Sequence, residues 1–117
     1  MLKFGIQPHD DFFFAHLHGL VSLQAWDKVI EELEQAISGA TSDRMVLDLT
    51  GIVGWLGMPE RTAVGALMAK RFARMKKVAV YIQPEKITGA VEAEARRKGL
   101  DLRLFPNEED ALRWVVT

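Results

Sequence analysis

The chain has 117 residues, of which 49% are hydrophobic and 26% charged, and its 15 basic and 16 acidic side chains leave a formal net charge of -1. This composition is typical of a folded globular protein, so we expect residues 1–117 to form a single domain. The near-zero charge offers no positive field to attract nucleic acid, and the absence of cysteine excludes disulfides, thiolate metal sites and cysteine nucleophiles.

The sequence also argues against a membrane protein. No uninterrupted apolar run approaches the roughly 20 residues that cross a bilayer, and residues 1–11 lack the apolar core of a signal peptide. We therefore expect a soluble, cytoplasmic protein without stable membrane insertion.

Two short strands and a helix open the predicted fold. Residues 2–7 and 12–18 are apolar or aromatic and are separated by Pro8-His9-Asp10-Asp11, which is typical of a hairpin turn. The helix that follows starts after Ser22, a candidate N-cap, and ends at Gly39. Its apolar residues recur at helical spacing and form one stripe: Trp26, Val29, Ile30, Leu33, Ala36 and Ile37.

The middle of the chain predicts two buried strands with a helix between them. Residues 45–49 and 78–82 are short apolar runs, as expected for strands covered on both faces, and the first of them is predicted to be central. Pro59 suits the first turn of the intervening helix. The predicted apolar stripe of this helix consists of Val64, Leu67, Met68, Phe72 and Met75.

The last third of the chain repeats the alternation. Residues 85–98 predict an alanine-rich helix, residues 100–104 an edge strand with alternating leucines, and Asn107 the cap of a final helix. The order ββαβαβαβα predicts an α/β fold with a mostly parallel sheet and an N-terminal antiparallel hairpin. In such sheets ligands and partners meet the carboxyl ends of the strands, here residues 50–62, 83–86 and 105–107.

Residues 22–116 resemble the STAS (sulfate transporter and anti-sigma antagonist) domain of the SpoIIAA-like anti-sigma-factor antagonists. The resemblance lies in residues 45–52, Met-Val-Leu-Asp-Leu-Thr-Gly-Ile, and in Gly65-Ala66-Leu67 of the next helix. With Trp55 after the central strand, the chain is more similar still to small stand-alone bacterial SpoIIAA-like proteins, most of which lack an assigned activity. The resemblance implies a regulatory module.

In the regulatory antagonists the helix after the central strand opens with Asp-Ser-Ser-Gly, and a partner kinase phosphorylates the serine to switch binding. The matching residues 57–62 read Gly-Met-Pro-Glu-Arg-Thr here, without a serine, and this segment is longer. Thr62 is the nearest hydroxyl, and free N–H groups would stabilise a phosphate in a first helical turn. A capping or solvent-facing threonine is the commoner explanation.

The segment after the central strand is the strongest candidate for a binding site. Its glycines lack the lysine of a phosphate-binding loop and the spacing of a dinucleotide fingerprint. Its apolar residues are more numerous than a simple connection needs: Ile52, Val53, Trp55, Leu56 and Met58. They predict either a hydrophobic contact site or a local core folded over the end of the sheet.

The N-terminal hairpin carries the three histidines. His16 and His18 lie on one face of a predicted strand, and His9 and its neighbouring aspartates come near them across the turn, which suits a divalent metal such as zinc. Because a regular third-ligand spacing is missing, we predict no metal and interpret these residues as partly exposed polar side chains. Phe12 and Phe14 share the face and predict an aromatic surface or a pocket wall.

The sequence predicts no catalytic residues and no cofactor. Asp48 interrupts an apolar strand, either as a buried hydrogen-bonded carboxylate or, more often in such positions, as a residue that stabilises the following turn. No local motif places a nucleophile beside a base. A hydrolase would require His16 or His18 to approach a nucleophile.

The leading hypothesis is a non-enzymatic regulatory or interaction module that binds a protein partner or itself through residues 50–62. Trp55 and Met58 would be its apolar anchors, Glu60 and Arg61 would set orientation, and Thr62 completes the predicted site. The alternative is a protein that binds an apolar or lipid-like small molecule, in a cavity of roughly 300 Å³ or more. That cavity would be lined by Phe12, Phe14 and Trp55.

Overall fold

The computed structural model describes residues 2–39 and 42–117, and its centre is a five-stranded sheet in the order β1-β2-β3-β4-β5. The strands are β1 (Leu2–Pro8), β2 (Phe13–Leu20), β3 (Arg44–Val53), β4 (Lys77–Tyr81) and β5 (Leu102–Phe105). β1 runs antiparallel to β2, and the other neighbours are parallel. The predicted mostly parallel sheet, its antiparallel edge and its central strand are confirmed.

Four helices connect or follow the strands: α1 (Leu23–Ile37), α2 (Met58–Arg71), α3 (Ala90–Arg97) and α4 (Glu108–Val115). The predicted order ββαβαβαβα is therefore confirmed. Both predicted caps form, because Ser22 Oγ accepts the Ala25 N–H at 3.1 Å and Asn107 Oδ1 accepts the Asp110 N–H at 2.9 Å. Each cap satisfies a backbone donor that the first helical turn leaves free.

The helices cover the two faces of the sheet unequally. α1, α2 and α3 pack on one face, where they and the sheet form the larger core around residues such as Ile30, Leu47 and Met68. α4 covers the other face, where Ala111 and Val115 meet Val46 and Ala79. We call these the three-helix face and the α4 face.

Three details of the predicted helices are wrong. The helix predicted from Glu85 begins at Ala90, because Pro84–Lys86 forms a separate 3₁₀ turn and Gly89 adopts a positive φ of 88°. Phe72 and Met75 are buried, but they lie beyond the end of α2 in the turn that leads to β4. Ala36 is exposed on α1 and does not belong to its buried stripe.

The central strand is longer than predicted, and it contains a bulge. Residues 45–49 were expected to end at a turn, yet β3 continues to Val53. His16 pairs with Asp48 and His18 with Gly51, so β3 has one extra residue opposite Leu17. A Cβ at Gly51 would lie 2.9 Å from His18 Cβ, which explains a glycine directly after the bulge.

Within residues 2–39 and 42–117, no helix is long and apolar enough to cross a membrane.

Candidate binding site at the carboxyl end of the sheet

Large apolar side chains are exposed at the carboxyl end of the sheet. Leu20 is 62% exposed, Val53 63%, Trp55 60% and Met58 56%, and we call this set the apolar surface. Leu20 and Val53 are paired across β2 and β3, and Trp55 and Met58 follow within five positions of Val53. Exposed apolar clusters of this kind mark contact sites more often than isolated exposed residues do.

The five apolar residues predicted in this segment divide into two groups. Val53, Trp55 and Met58 are exposed, whereas Ile52 is 6% exposed and belongs to the core of the three-helix face. Leu56 is partly buried and packs against the same core. The segment is thus in part a local core folded over the end of the sheet and in part exposed to solvent.

Two cations hold Trp55 in place. The Arg61 guanidinium carbon lies 5.6 Å and the Lys86 ammonium 5.3 Å from the centre of the indole ring, within cation–π range. Arg61 also donates to the carbonyls of Leu56 and Lys86, both at 2.8 Å, and Lys86 Nζ donates to the Ile52 carbonyl at 3.1 Å. The loop after β3 is thereby fastened to the segment before α3.

A small pocket of about 80 Å³ lies beneath Trp55 on the three-helix face. Its lining includes the buried side chains of Trp26, Val64, Met68 and Val80. The volume is well below the roughly 300–1,000 Å³ of sites for drug-sized ligands. The predicted wall residues Phe12 and Phe14 do not line this pocket.

Glu60 and Thr62 occupy different environments at the start of α2. The Glu60 side chain folds back toward the N-cap, since a Cβ at Gly57 would lie 3.0 Å from Glu60 Oε1. Its Oε2 is buried and has no hydrogen-bond partner among the described residues. Thr62 is exposed and follows Arg61, whose backbone N–H already bonds to the Gly57 carbonyl. Thr62 thus lies beyond the free N–H groups of the first turn.

Asp48 organises a polar cluster at the same end of the sheet but on the α4 face. Its Oδ1 accepts hydrogen bonds from the Thr50 N–H at 2.9 Å and the Thr50 hydroxyl at 2.6 Å, and its Oδ2 lies 3.4 Å from His16 Nδ1. Because of the bulge, Thr50 lies outside the regular strand pairing, and its N–H donates to the Asp48 carboxylate instead. This agrees with the interpretation of Asp48 as a residue that stabilises the following backbone.

The ionisation of Asp48 reflects these contacts. Partial burial alone would raise the pKa of Asp48, but hydrogen bonds from Thr50, Tyr81 and His16 outweigh burial and hold this pKa below its ordinary value. Burial raises the pKa of Tyr81, and its hydrogen bond to Asp48 and the nearby negative charge raise it further. Asp48 is therefore a stable carboxylate near neutral pH.

Phe12 and Phe14 of the hairpin also lie on the α4 face. His9 stacks on Phe12 with ring centres 4.7 Å apart, and His16 lies 4.8 Å from Phe14. Phe14 belongs to the smaller core, which lies between the sheet and α4, and Phe12 packs against it. The structure therefore separates Phe12 and Phe14 from Trp55, whose pocket is on the other side of the sheet.

The three histidines do not converge. His18 is exposed beside Gly51, while His9 and His16 contact different phenylalanines. In the described part of the chain, no three histidine or carboxylate residues come together as a metal-binding group. The Thr50 hydroxyl donates to Asp48 and not to His16, so the geometry gives the hydrolase interpretation no support.

Sequence reasoning missed two contributors to this site. Leu20 lies beyond the predicted end of its strand at residue 18, and no pattern pairs it with Val53. Lys86 is 31 positions from Trp55 in the chain, and no local signal connects the two residues. The sequence did place Lys86 in residues 83–86, which follow the fourth predicted strand and were expected to face ligands.

Comparison with known proteins identifies the fold. No protein-family model and no curated protein matches this sequence. An anti-sigma factor antagonist from Mycobacterium paratuberculosis superimposes with a TM-score of 0.70 at 17% identity, over 100% of this chain and 96% of that one. An uncharacterised DUF3478 protein with a SpoIIAA-like fold from Shewanella loihica PV-4 gives a TM-score of 0.61 at 20% identity, over 97% and 93% of the two chains.

A third solved structure, an RsbS variant from Moorella thermoacetica, gives a TM-score of 0.59 at 18% identity, over 97% of this chain and 94% of that one. The chain therefore has the SpoIIAA-like fold of STAS domains. This confirms the fold predicted from residues 45–52 and from the order of the elements.

Proposed function

We propose that this chain is a regulatory module that binds a protein partner or a second copy of itself through the apolar surface, without catalytic activity of its own. The observation that carries the proposal is the exposure of Val53 at the end of the central strand and of Trp55 and Met58 after it. Burial of such side chains in a contact would remove apolar area from water and stabilise a complex. The fold supports the proposal, because one solved protein that shares it is an anti-sigma factor antagonist.

Trp55 is the proposed anchor of the contact. Tryptophan is enriched among interface residues that dominate binding energy, because one rigid side chain buries a large area. Arg61 and Lys86 already fix the position of its ring, so little side-chain freedom is lost when a partner binds. Met58 would adapt to the partner's shape, since its thioether side chain is flexible.

The flanking polar residues have separate proposed roles. Arg61 uses Nε and Nη1 for contacts within the chain, so its contribution is to hold the loop rather than to reach a partner. Glu60 would orient the partner from the first turn of α2. Thr62 is exposed two residues further along and would lie at the rim of the contact, where a phosphate would add negative charge.

The first test uses native mass spectrometry and sedimentation of the full chain purified from its own cell extract. We expect either a dimer or a complex of defined stoichiometry, which Trp55→Ala weakens at least roughly 30-fold. Val116→Ala is the matched control, because Val116 is an exposed apolar residue at the end of α4, away from the apolar surface. It should leave association unchanged.

The same variants decide whether Trp55 acts at the surface or in the core. With 60% of the side chain exposed, Trp55→Ala should change the free energy of unfolding by less than about 1 kcal/mol. Loss of association with an intact fold supports the proposal. Unchanged association, or unfolding of Trp55→Ala in urea concentrations that leave Val116→Ala folded, would contradict it.

A further inference from the structure

The pocket beneath Trp55 combines an apolar interior with two cations. Its lining side chains are apolar except for Arg61 and Lys86, and Trp26, Met68 and Val80 at its inner end are almost fully buried. Trp55 is the most exposed of the lining residues, and Arg61 and Lys86 lie against its ring, so these three residues form the opening. An apolar pocket with a cationic mouth suits a ligand that is apolar at one end and anionic at the other.

Both cations keep binding capacity for an anion. Neither Arg61 nor Lys86 forms an ion pair with a carboxylate within the described residues, and their hydrogen bonds go to neutral backbone and hydroxyl oxygens. Arg61 Nη2 has no hydrogen-bond partner in residues 2–39 and 42–117. The Lys86 ammonium uses one of its three donors. A carboxylate at the opening would accept charge-assisted hydrogen bonds from both side chains.

The volume limits the apolar end of the ligand. At about 80 Å³ the pocket has about a quarter of the volume of the smallest drug-sized sites, roughly 300 Å³, so it has room for only a few non-hydrogen atoms. This is the size of a short alkyl chain. It is too small for a long acyl chain, an aromatic cofactor or a nucleobase with its sugar.

We propose that the pocket beneath Trp55 is a binding site for a short-chain carboxylate, with the alkyl chain among Trp26, Met68 and Val80 and the carboxylate between Arg61 and Lys86. The inference rests on the pocket and its two cations, and it does not depend on the proposed protein contact. A ligand here would touch Trp55 from below, so its binding would couple to any partner that contacts the ring from outside.

The test is a titration of the full chain with pentanoate, followed by methyl NMR of labelled methionine and valine side chains. We expect saturable shifts at Met68, Val64 and Val80, with a Kd on the order of 1 mM for a ligand of this size. Pentanamide has the same chain without the charge and should bind at least roughly tenfold more weakly. Acetate, which lacks the alkyl chain, should produce no saturable shift at these residues.

Three variants separate the ionic and apolar contributions. Lys86→Met keeps a long side chain but removes the charge and should weaken pentanoate binding roughly tenfold, whereas Lys98→Met, at the exposed end of α3, should not change it. Val91→Phe, on the part of α3 that lines the pocket, should abolish the shifts by filling it. The methyl spectrum of each variant before titration shows whether it is folded.

The proposal is overturned if pentanoate causes no saturable shift at the pocket residues, or if pentanoate and pentanamide bind equally well. Shifts that persist unchanged in a folded Val91→Phe variant would overturn it as well, because they would place the ligand elsewhere. None of these results depends on whether Trp55→Ala weakens association, so failure of this proposal and failure of the protein-binding proposal are distinguishable.

Discussion

Trp55 and Trp114 each lie beside two cations, yet they differ in their packing. Lys77 and Arg103 approach the Trp114 ring to 4.9 Å each, and Phe105 lies 5.7 Å away, ring centre to ring centre. Trp114 is partly buried and packs against the smaller core, where it joins α4 to the sheet. Trp55 has the same kind of ionic neighbours, but most of its side chain faces solvent.

The comparison shows that contacts between cations and aromatic rings do not by themselves reveal the role of a tryptophan. At Trp114 the cations cover a side chain that already has a place in the core. At Trp55 they hold a side chain that gains little from packing within the chain, which is the arrangement expected of a binding anchor. Substitution of Trp114 should therefore lower the stability of the fold, whereas substitution of Trp55 should weaken association.

The largest expected effect on stability comes from Trp114→Ala. The substitution removes a partly buried aromatic side chain from the contact between α4 and the sheet, and it should lower the free energy of unfolding by about 2 kcal/mol, measured by urea denaturation. Arg113→Ala is the control, because Arg113 is exposed and pairs with Glu109 and Asp110 on the helix surface. It should change stability by less than about 0.5 kcal/mol. Equal changes in the free energy of unfolding for Trp114→Ala and Arg113→Ala would show that packing of the Trp114 ring does not stabilise the fold, and Trp114 would then not differ from Trp55 in this respect.

Arg61 beside Trp55 and Arg103 beside Trp114 should contribute differently to stability. Arg61→Met leaves the carbonyls of Leu56 and Lys86 without their donor, so we expect a loss of about 1–2 kcal/mol in the free energy of unfolding. Its counterpart beside Trp114, Arg103, has an exposed side chain next to Asp101. Arg103→Met should cost less than about 0.5 kcal/mol in the same urea experiment. The opposite ranking would show that Arg61 does not hold the loop.

Asp48 shares the α4 face with Trp114 and the carboxyl end of the sheet with Trp55. Its pKa is lower in the folded protein than in the unfolded chain, so its carboxylate stabilises the fold above about pH 5 and loses this effect as pH falls through the folded-state pKa. Asp48→Asn should be less stable than the parent by up to about 1 kcal/mol at pH 7. The difference should shrink as pH falls below 4.

Urea denaturation of both proteins between pH 7 and pH 3 measures this dependence. A stability difference that stays constant across the range would mean that the ionised form of Asp48 contributes nothing specific. The aspartate would then matter through the shape of its hydrogen bonds with Thr50 alone.

Much of the fold was predictable because the signals were local or periodic. Ser22 and Asn107 cap helices as predicted, and apolar runs of five residues gave the central strands. The start of α3 was not predictable from alanine content, because Gly89 and the preceding 3₁₀ turn override helix propensity there.

The candidate site was predictable only in part. Trp55 and Met58 could be singled out from a segment with more apolar residues than a connection needs. The burial of Ile52 and the exposure of Val53 depend on how β3 continues, and the contact between Lys86 and Trp55 depends on two loops that meet in three dimensions. Information of that kind is not contained in the spacing of residues along one segment.

The bulge in β3 also affects how this chain should be aligned with others. Leu49 and Ile52 both face the larger core although they are three positions apart, which a regular strand with its two-residue period does not permit. The bulge adds one residue between them and so brings both side chains to the same face. A related chain without the bulge would be one residue shorter here, and its equivalent of Ile52 would still face inward, with the equivalent of Trp55 exposed. If the two sequences were aligned without a gap at Thr50, the inward-facing residues of one chain between the bulge and α2 would be matched with outward-facing residues of the other. The residues of the apolar surface would then not be recognised as equivalent.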